Sequence, residues 1–120
     1  MREGLCPIAE AAKLLGDKWT LILLRDLARG ACRFKALVES GEGISPSILT
    51  GRLRELEEKG VISRTSYNEI PPRVEYSLTE KGRDVLPVIE ALRVYGSRWC
   101  TTKESRARAT GGLAPCSRAG

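Results

Sequence analysis

Two short alternating segments, VISRTSY from Val61 to Tyr67 and RVEYSL from Arg73 to Leu78, are separated only by Asn68, Glu69, Ile70 and the pair Pro71-Pro72. Alternation with a period of two predicts a strand from each, and the short proline-bearing connection predicts an antiparallel hairpin. Proline has no N–H to give to a ladder, so the two prolines mark the tip, where no partner is needed. A hairpin at this place, in a chain whose other segments up to residue 100 carry helical spacing, leaves few architectures open.

The helical segments have legible ends. Pro7 reads as the first residue of a helix with Cys6 at the cap position; Ile8, Ala11, Ala12 and Leu15 follow at helical spacing, and Gly16 ends it. Asp17 caps a second helix, whose buried face is expected from Trp19, Ile22, Leu23 and Leu27, and Gly30 closes it. Phe34, Leu37 and Val38 make a short third helix, stopped by the glycines of SGEG. Ser45-Pro46 opens a fourth, a capping hydroxyl followed by a proline in the first turn, and the helix runs to about Lys59 before Gly60. After the hairpin, Thr79 caps a last helix with an apolar stripe of Val85, Ile89, Leu92 and Trp99. Pro87 falls inside it and removes one backbone hydrogen bond, so a bend is expected there. From Thr101 the periodicity stops. Residues 1–100 read as one domain and 101–120 as a disordered tail. The expected fold is mainly α with a small β-hairpin: a winged helix-turn-helix with extra helices at both ends.

At about 100° per residue, Leu49, Leu53 and Leu56 cluster on one side of the fourth helix, with Ser47, Thr50, Gly51 and Arg54 roughly opposite. That opposite flank is short or polar with one long cation, which suits close approach to base edges and phosphates of double-stranded DNA. Ser45 at the helix start adds amides that favour phosphate. Arg64 and Arg73 are expected to flank the hairpin tip, within reach of the DNA backbone or minor groove, unless a neighbouring carboxylate engages them. Lys35 and Arg33, leading into the third helix, are further phosphate candidates. Glu55, Glu57 and Glu58 would repel phosphate, so only the N-terminal half of the fourth helix is suited to the duplex.

Charge agrees with a local site rather than a general one. The formal net charge is +5, but residues 1–100 hold 16 Lys/Arg against 14 Asp/Glu. With no histidine, no glycine-rich phosphate loop and no G-x-S-x-G turn, the sequence gives no support to an enzyme. Cys6, Cys32, Cys100 and Cys116 are too scattered for a metal site, and no cofactor is called for. No apolar run is long enough for a membrane span, and MREGLCPIAEAAKLLG has no signal-peptide core, so the cytoplasm is the expected compartment. Cys6 is the cysteine with a chemical argument, since the unpaired amides of a helix start favour a thiolate that oxidants and electrophiles attack. A winged-helix module that binds protein is the competing reading, and it requires an apolar fourth-helix flank that this sequence lacks.

CPI near the start, LGDKWTLILLRDLARGACRF, GISPSILTGRLRELEEKGVISR, IPPRVEYSLTEKG and LPVIEAL together resemble the HxlR-type bacterial transcription regulators over about residues 5–100. Members often carry GGKW where Asp17 stands here, and a tryptophan late in the last helix where this chain has Tyr95. The resemblance implies a homodimer on a palindromic operator, a repressor or activator of nearby genes. It places the first and last helices in the dimer interface and the fourth helix in the major groove. It also implies an effector: a small electrophile or oxidant acting at Cys6, or a metabolite that involves no thiol. Cys100, at the end of the last helix and so near the implied interface, is the natural second thiol.

Overall fold

The computed structural model describes residues 5–101. The expected tail lies outside the described residues apart from Thr101 at its boundary, and Cys116 lies outside with it. The elements follow in the order α1 (Pro7–Leu15), α2 (Lys18–Ala28), α3 (Phe34–Ser40), α4 (Pro46–Glu58), β1 (Ile62–Tyr67), β2 (Arg73–Leu78), α5 (Glu80–Arg83) and α6 (Leu86–Trp99).

Local chemistry sets most boundaries. The Asp17 carboxylate accepts from the Thr20 amide to cap α2, and the Ser45 hydroxyl accepts from the Ile48 amide to cap α4. Gly60, at φ +77°, turns the chain out of α4 into β1, a left-handed position that a side chain would strain. The strands pair antiparallel from Ile62 opposite Leu78 to Tyr67 opposite Arg73. The Thr79 hydroxyl closes the base of this ribbon, donating 2.6 Å to the Gly60 carbonyl while accepting from the Gly82 amide that starts α5. The free edge of β2 is not idle, because the Tyr76 amide donates 2.8 Å to the Cys32 carbonyl in the α2–α3 connection.

One core joins these pieces. Leu23, Leu24 and Leu27 of α2 meet Leu37 of α3, Leu49, Leu53 and Leu56 of α4, and Val61, Ile62 and Val85. Leu24, which the helical spacing passed over, is completely buried. Trp19 and Ile22, expected on the buried face, pack at its margin or stay half-exposed. Neither α1 nor α6 contains a buried residue.

The last helix differs from expectation. Instead of one bent helix from Thr79, there are two, with Asp84 and Val85 between them and Pro87 in the first turn of α6. A proline ring collides with the carbonyl four residues back, here that of Arg83, which kinks or breaks a helix, and here the helix is broken. In the first turn the absent N–H has no partner to lose, and the helix restarts there at little cost. Of the expected stripe only Val85 is buried and Ile89 half-buried, while Leu92 and Trp99 face outward.

A carboxylate also ties α2 to α4. Arg52 donates two hydrogen bonds to Asp17, Nε to Oδ2 at 2.8 Å and Nη2 to Oδ1 at 3.1 Å. The hydrogen bonds from Arg52 do most to hold the Asp17 carboxyl down, at about 2; desolvation opposes them and the Thr20 amide and hydroxyl add to them. A carboxyl whose folded pKa is depressed stabilises the fold fully above its unfolded pKa and loses that effect as pH falls toward the folded value. Asp17→Ala is therefore expected to cost about 1–2 kcal/mol at neutral pH, chiefly as a lost helix cap because the ion pair is partly solvated. In urea melts, the gap between wild type and variant should hold above pH 4 and close between pH 4 and about 2.

Candidate nucleic-acid interface

The site is built on α4 by default of the core. Leu49, Leu53 and Leu56 are at most 2 % exposed, so the flank opposite them has to face out. Ser47, Gly51 and Arg54 are exposed there, and Thr50 is half-exposed. α3 and the turn through Gly43 precede α4, giving a helix–turn–helix, and the β1–β2 ribbon follows as a wing.

The expected contact residues divide by what their polar atoms already do. The Ser45 hydroxyl is committed to the cap, with Ser47 Oγ 3.4 Å away. Thr50 donates its proton to the Pro46 carbonyl at 2.9 Å, which leaves its lone pairs and methyl for a partner. Gly51 faces open space, and a Cβ there would meet nothing within 4 Å. Among the described residues, Arg54, Arg64 and Lys35 are exposed cations with no hydrogen bond or ion pair. Arg33 stands 3.9 Å from Glu75.

Arg73 is different. Its guanidinium lies over the Tyr67 ring at 4.1 Å, and it reaches Glu69 at 3.0 Å and Glu75 at 3.7 Å. Its Nε is buried without a hydrogen-bond partner. The hairpin uses this cation internally, the alternative left open by the sequence. Arg64 does not flank the tip: it stands mid-strand opposite Tyr76.

Two arrangements escaped the sequence reading. Arg52 follows Gly51 and sits about 60° around the helix from Leu49, at the margin of the core face, where a long cation needs a partner beside it; the angle was available, but the partner, 35 residues earlier, was not. Asp26 is 2 % exposed, bonded to Arg25 Nε at 3.0 Å and the Ser40 hydroxyl at 3.0 Å. Desolvation pushes its carboxyl up, against the pull of Arg25, Ser40 and Arg29. Arg25 extends the network to Glu42 at 2.8 Å, so the α3–α4 turn is fastened to α2.

At the other end of the fold, Cys6 occupies the cap position of α1, but its sulfur takes no amide hydrogen bond, contrary to the expected thiolate cradle. Cys100 caps the C-terminal end of α6. Both are exposed free thiols, and Cys32 is half-buried. No group of residues suited to a metal ion occurs among the described residues. None of the described helices is long and apolar enough to cross a membrane.

A helix–turn–helix with an outward polar flank and a two-stranded wing defines a winged-helix transcriptional regulator. The model of the HxlR-like helix-turn-helix family matches residues 14–104, and the chain belongs to that family. An uncharacterized HTH-type transcriptional regulator of Synechocystis is 47% identical over 95 residues, which cover 79% of this chain and 70% of the relative. The redox regulator HypR in its reduced form matches with TM-score 0.73 at 35% identity, covering 78% of this chain and 92% of that one. Diamide-treated YodB from B. subtilis matches with TM-score 0.66 at 34% identity, covering 83% of this chain and all of the other. The relatives are transcriptional regulators, not enzymes.

Gly51 and Arg54 separate stability from binding. Gly51→Ala should raise stability by about 0.5–1 kcal/mol, since it removes a flexible residue from an exposed helix interior. The same methyl is expected to weaken binding to a cognate duplex, since it crowds the flank expected to approach base edges. Arg54→Ala should leave the melting midpoint unchanged, weaken binding and lower the salt slope by about 1 per protomer. Fluorescence anisotropy and thermal melts on the same samples check both.

Proposed function

We propose that this protein is a sequence-specific DNA-binding regulator that acts as a homodimer on a palindromic operator and is switched by thiol oxidation or electrophile attack at Cys6. The observation that carries the DNA reading is the α4 flank, outward, polar and supplied with an unpaired cation in Arg54. Ser47, Thr50, Gly51 and Arg54 face the bases. Ser45, Lys35 and Arg64 hold or reach the phosphates, and the Ser47 amide at the second position of α4 is free to join them. The exposed carboxylates of Glu55, Glu57 and Glu58 turn the C-terminal half of α4 away from the duplex.

The homodimer is supported by apolar surface that one protomer leaves open. Ile8 on α1 is 80 % exposed, and Leu92, Val94, Tyr95 and Trp99 on α6 are 46–67 % exposed. Apolar surface gathered on two terminal helices asks for a cover, and a second copy supplies the same surface in return. Twofold symmetry then presents two α4 helices to half-sites about 10 base pairs apart or a multiple of that.

The thiol switch is supported by the exposure of Cys6 and Cys100 at the ends of these same helices and by similarity to the redox regulator HypR, in its reduced and oxidized forms, and to diamide-treated YodB. Oxidation joins the two sulfurs across the dimer, with each thiol losing one proton and one electron to an oxidant such as diamide. The link tilts one DNA-reading head against the other. On non-reducing gels diamide should produce a covalent dimer, Cys6→Ser should abolish it, and anisotropy of a labelled duplex from upstream of the protein's own gene should change on oxidation only in the wild type. A diamide band that persists in Cys6→Ser contradicts the switch. Binding that is insensitive to salt between low and physiological concentrations contradicts the DNA reading.

A further inference from the structure

We infer that the wing meets the duplex as an uncharged apolar wedge carried by Ile70, and that Arg73 shapes this wedge instead of touching phosphate; the inference rests on the DNA reading above. Ile70 is 102 % exposed, projecting fully between Glu69 and the exposed Pro71 and Pro72. Every other large apolar side chain of the described residues keeps part of its surface covered. From Tyr67 to Arg73 the tip holds one acid, Glu69, and one base, Arg73, and they neutralise each other at 3.0 Å.

The cation is held on three sides, by the Tyr67 ring at 4.1 Å, by Glu69 and by Glu75 at 3.7 Å. Pulling it out toward a phosphate would strip three partners and leave two carboxylates facing a polyanion. Leaving it in place makes the tip neutral, which removes the repulsion Glu69 would otherwise exert, and stiffens the last strand pair behind Ile70. A neutral tip with a branched aliphatic side chain fits the minor groove, where sugar edges and partly opened base steps accept apolar wedges. The charge contacts then belong to Arg54, Arg64 and Lys35, which have no internal partner among the described residues.

Salt titrations of duplex affinity distinguish the roles. Ile70→Ser lies on an exposed loop and should leave the melt unchanged, weaken binding about tenfold or more and keep the wild-type salt slope, because apolar contact releases no counterions. Arg73→Ala should weaken binding with the wild-type slope as well, and Arg73→Lys, which keeps the charge but loses the stacked fork, should behave as Arg73→Ala does. Wild-type affinity in Ile70→Ser overturns the wedge. A slope lowered by about 1 per protomer in Arg73→Ala, restored in Arg73→Lys, makes Arg73 a phosphate contact and overturns its positioning role. Absence of any wild-type binding overturns the DNA reading itself, so the two failures give different signatures.

Discussion

Three leucines decide which way α4 points, and the rest of the account depends on that direction. Leu49, Leu53 and Leu56 are buried to 2 % exposure or less. At about 2 kcal/mol for each buried leucine, turning the helix over would forfeit roughly 6 kcal/mol, a large part of the 5–15 kcal/mol that typically holds a domain together. No surface contact competes on that scale. The exposure of Ser47, Gly51 and Arg54 is therefore a consequence of core packing, and the polar flank needs no stabilisation of its own.

The ionic contacts around α2 act on aim more than on stability. Asp17 and Arg52 are both partly solvated, with side chains 37% and 31% exposed, so their pairing contributes modestly to the free energy of folding. Its geometry is nonetheless specific, two parallel N–H···O bonds between a planar cation and a carboxylate that also caps α2. Asp26, Arg25 and Glu42 do the same for the turn before α4. The middle of α4 and the turn before it are thus both fastened to α2, which packs on α1, the helix that carries Cys6 near its start.

Much of this was legible in the residues because the relevant signals are local. Cap residues, glycine stops, proline placement and period-two alternation act within a few positions, and they placed α1 to α4 and both strands within about a residue of the observed ends. The leucine face of α4 followed from angle alone. What was not legible depends on partners distant in the chain. The sequence could show that Arg73 stands near carboxylates, but not that Tyr67 lies beneath it and Glu75 beside it until the ladder register was known. The Arg52–Asp17 contact spans 35 residues and appears only when α2 and α4 share a core. The split between α5 and α6 has a local signal too, Pro87, but a proline permits either a bend or a break, and only the packing shows which of the two occurs. The lost thiolate cradle at Cys6 is of the same kind, since a cap position does not oblige its side chain to cap.

The central claim is that the flank of α4 opposite its leucines lies in the major groove, in two copies. Affinity cleavage reads this directly: Ser47→Cys, with Cys6, Cys32, Cys100 and Cys116 replaced by serine, is labelled with iron-EDTA and bound to an operator duplex. The account predicts two clusters of strand scission facing the major groove, about 10 base pairs apart or a multiple of that. A single diffuse pattern no different from that of free iron-EDTA would contradict it.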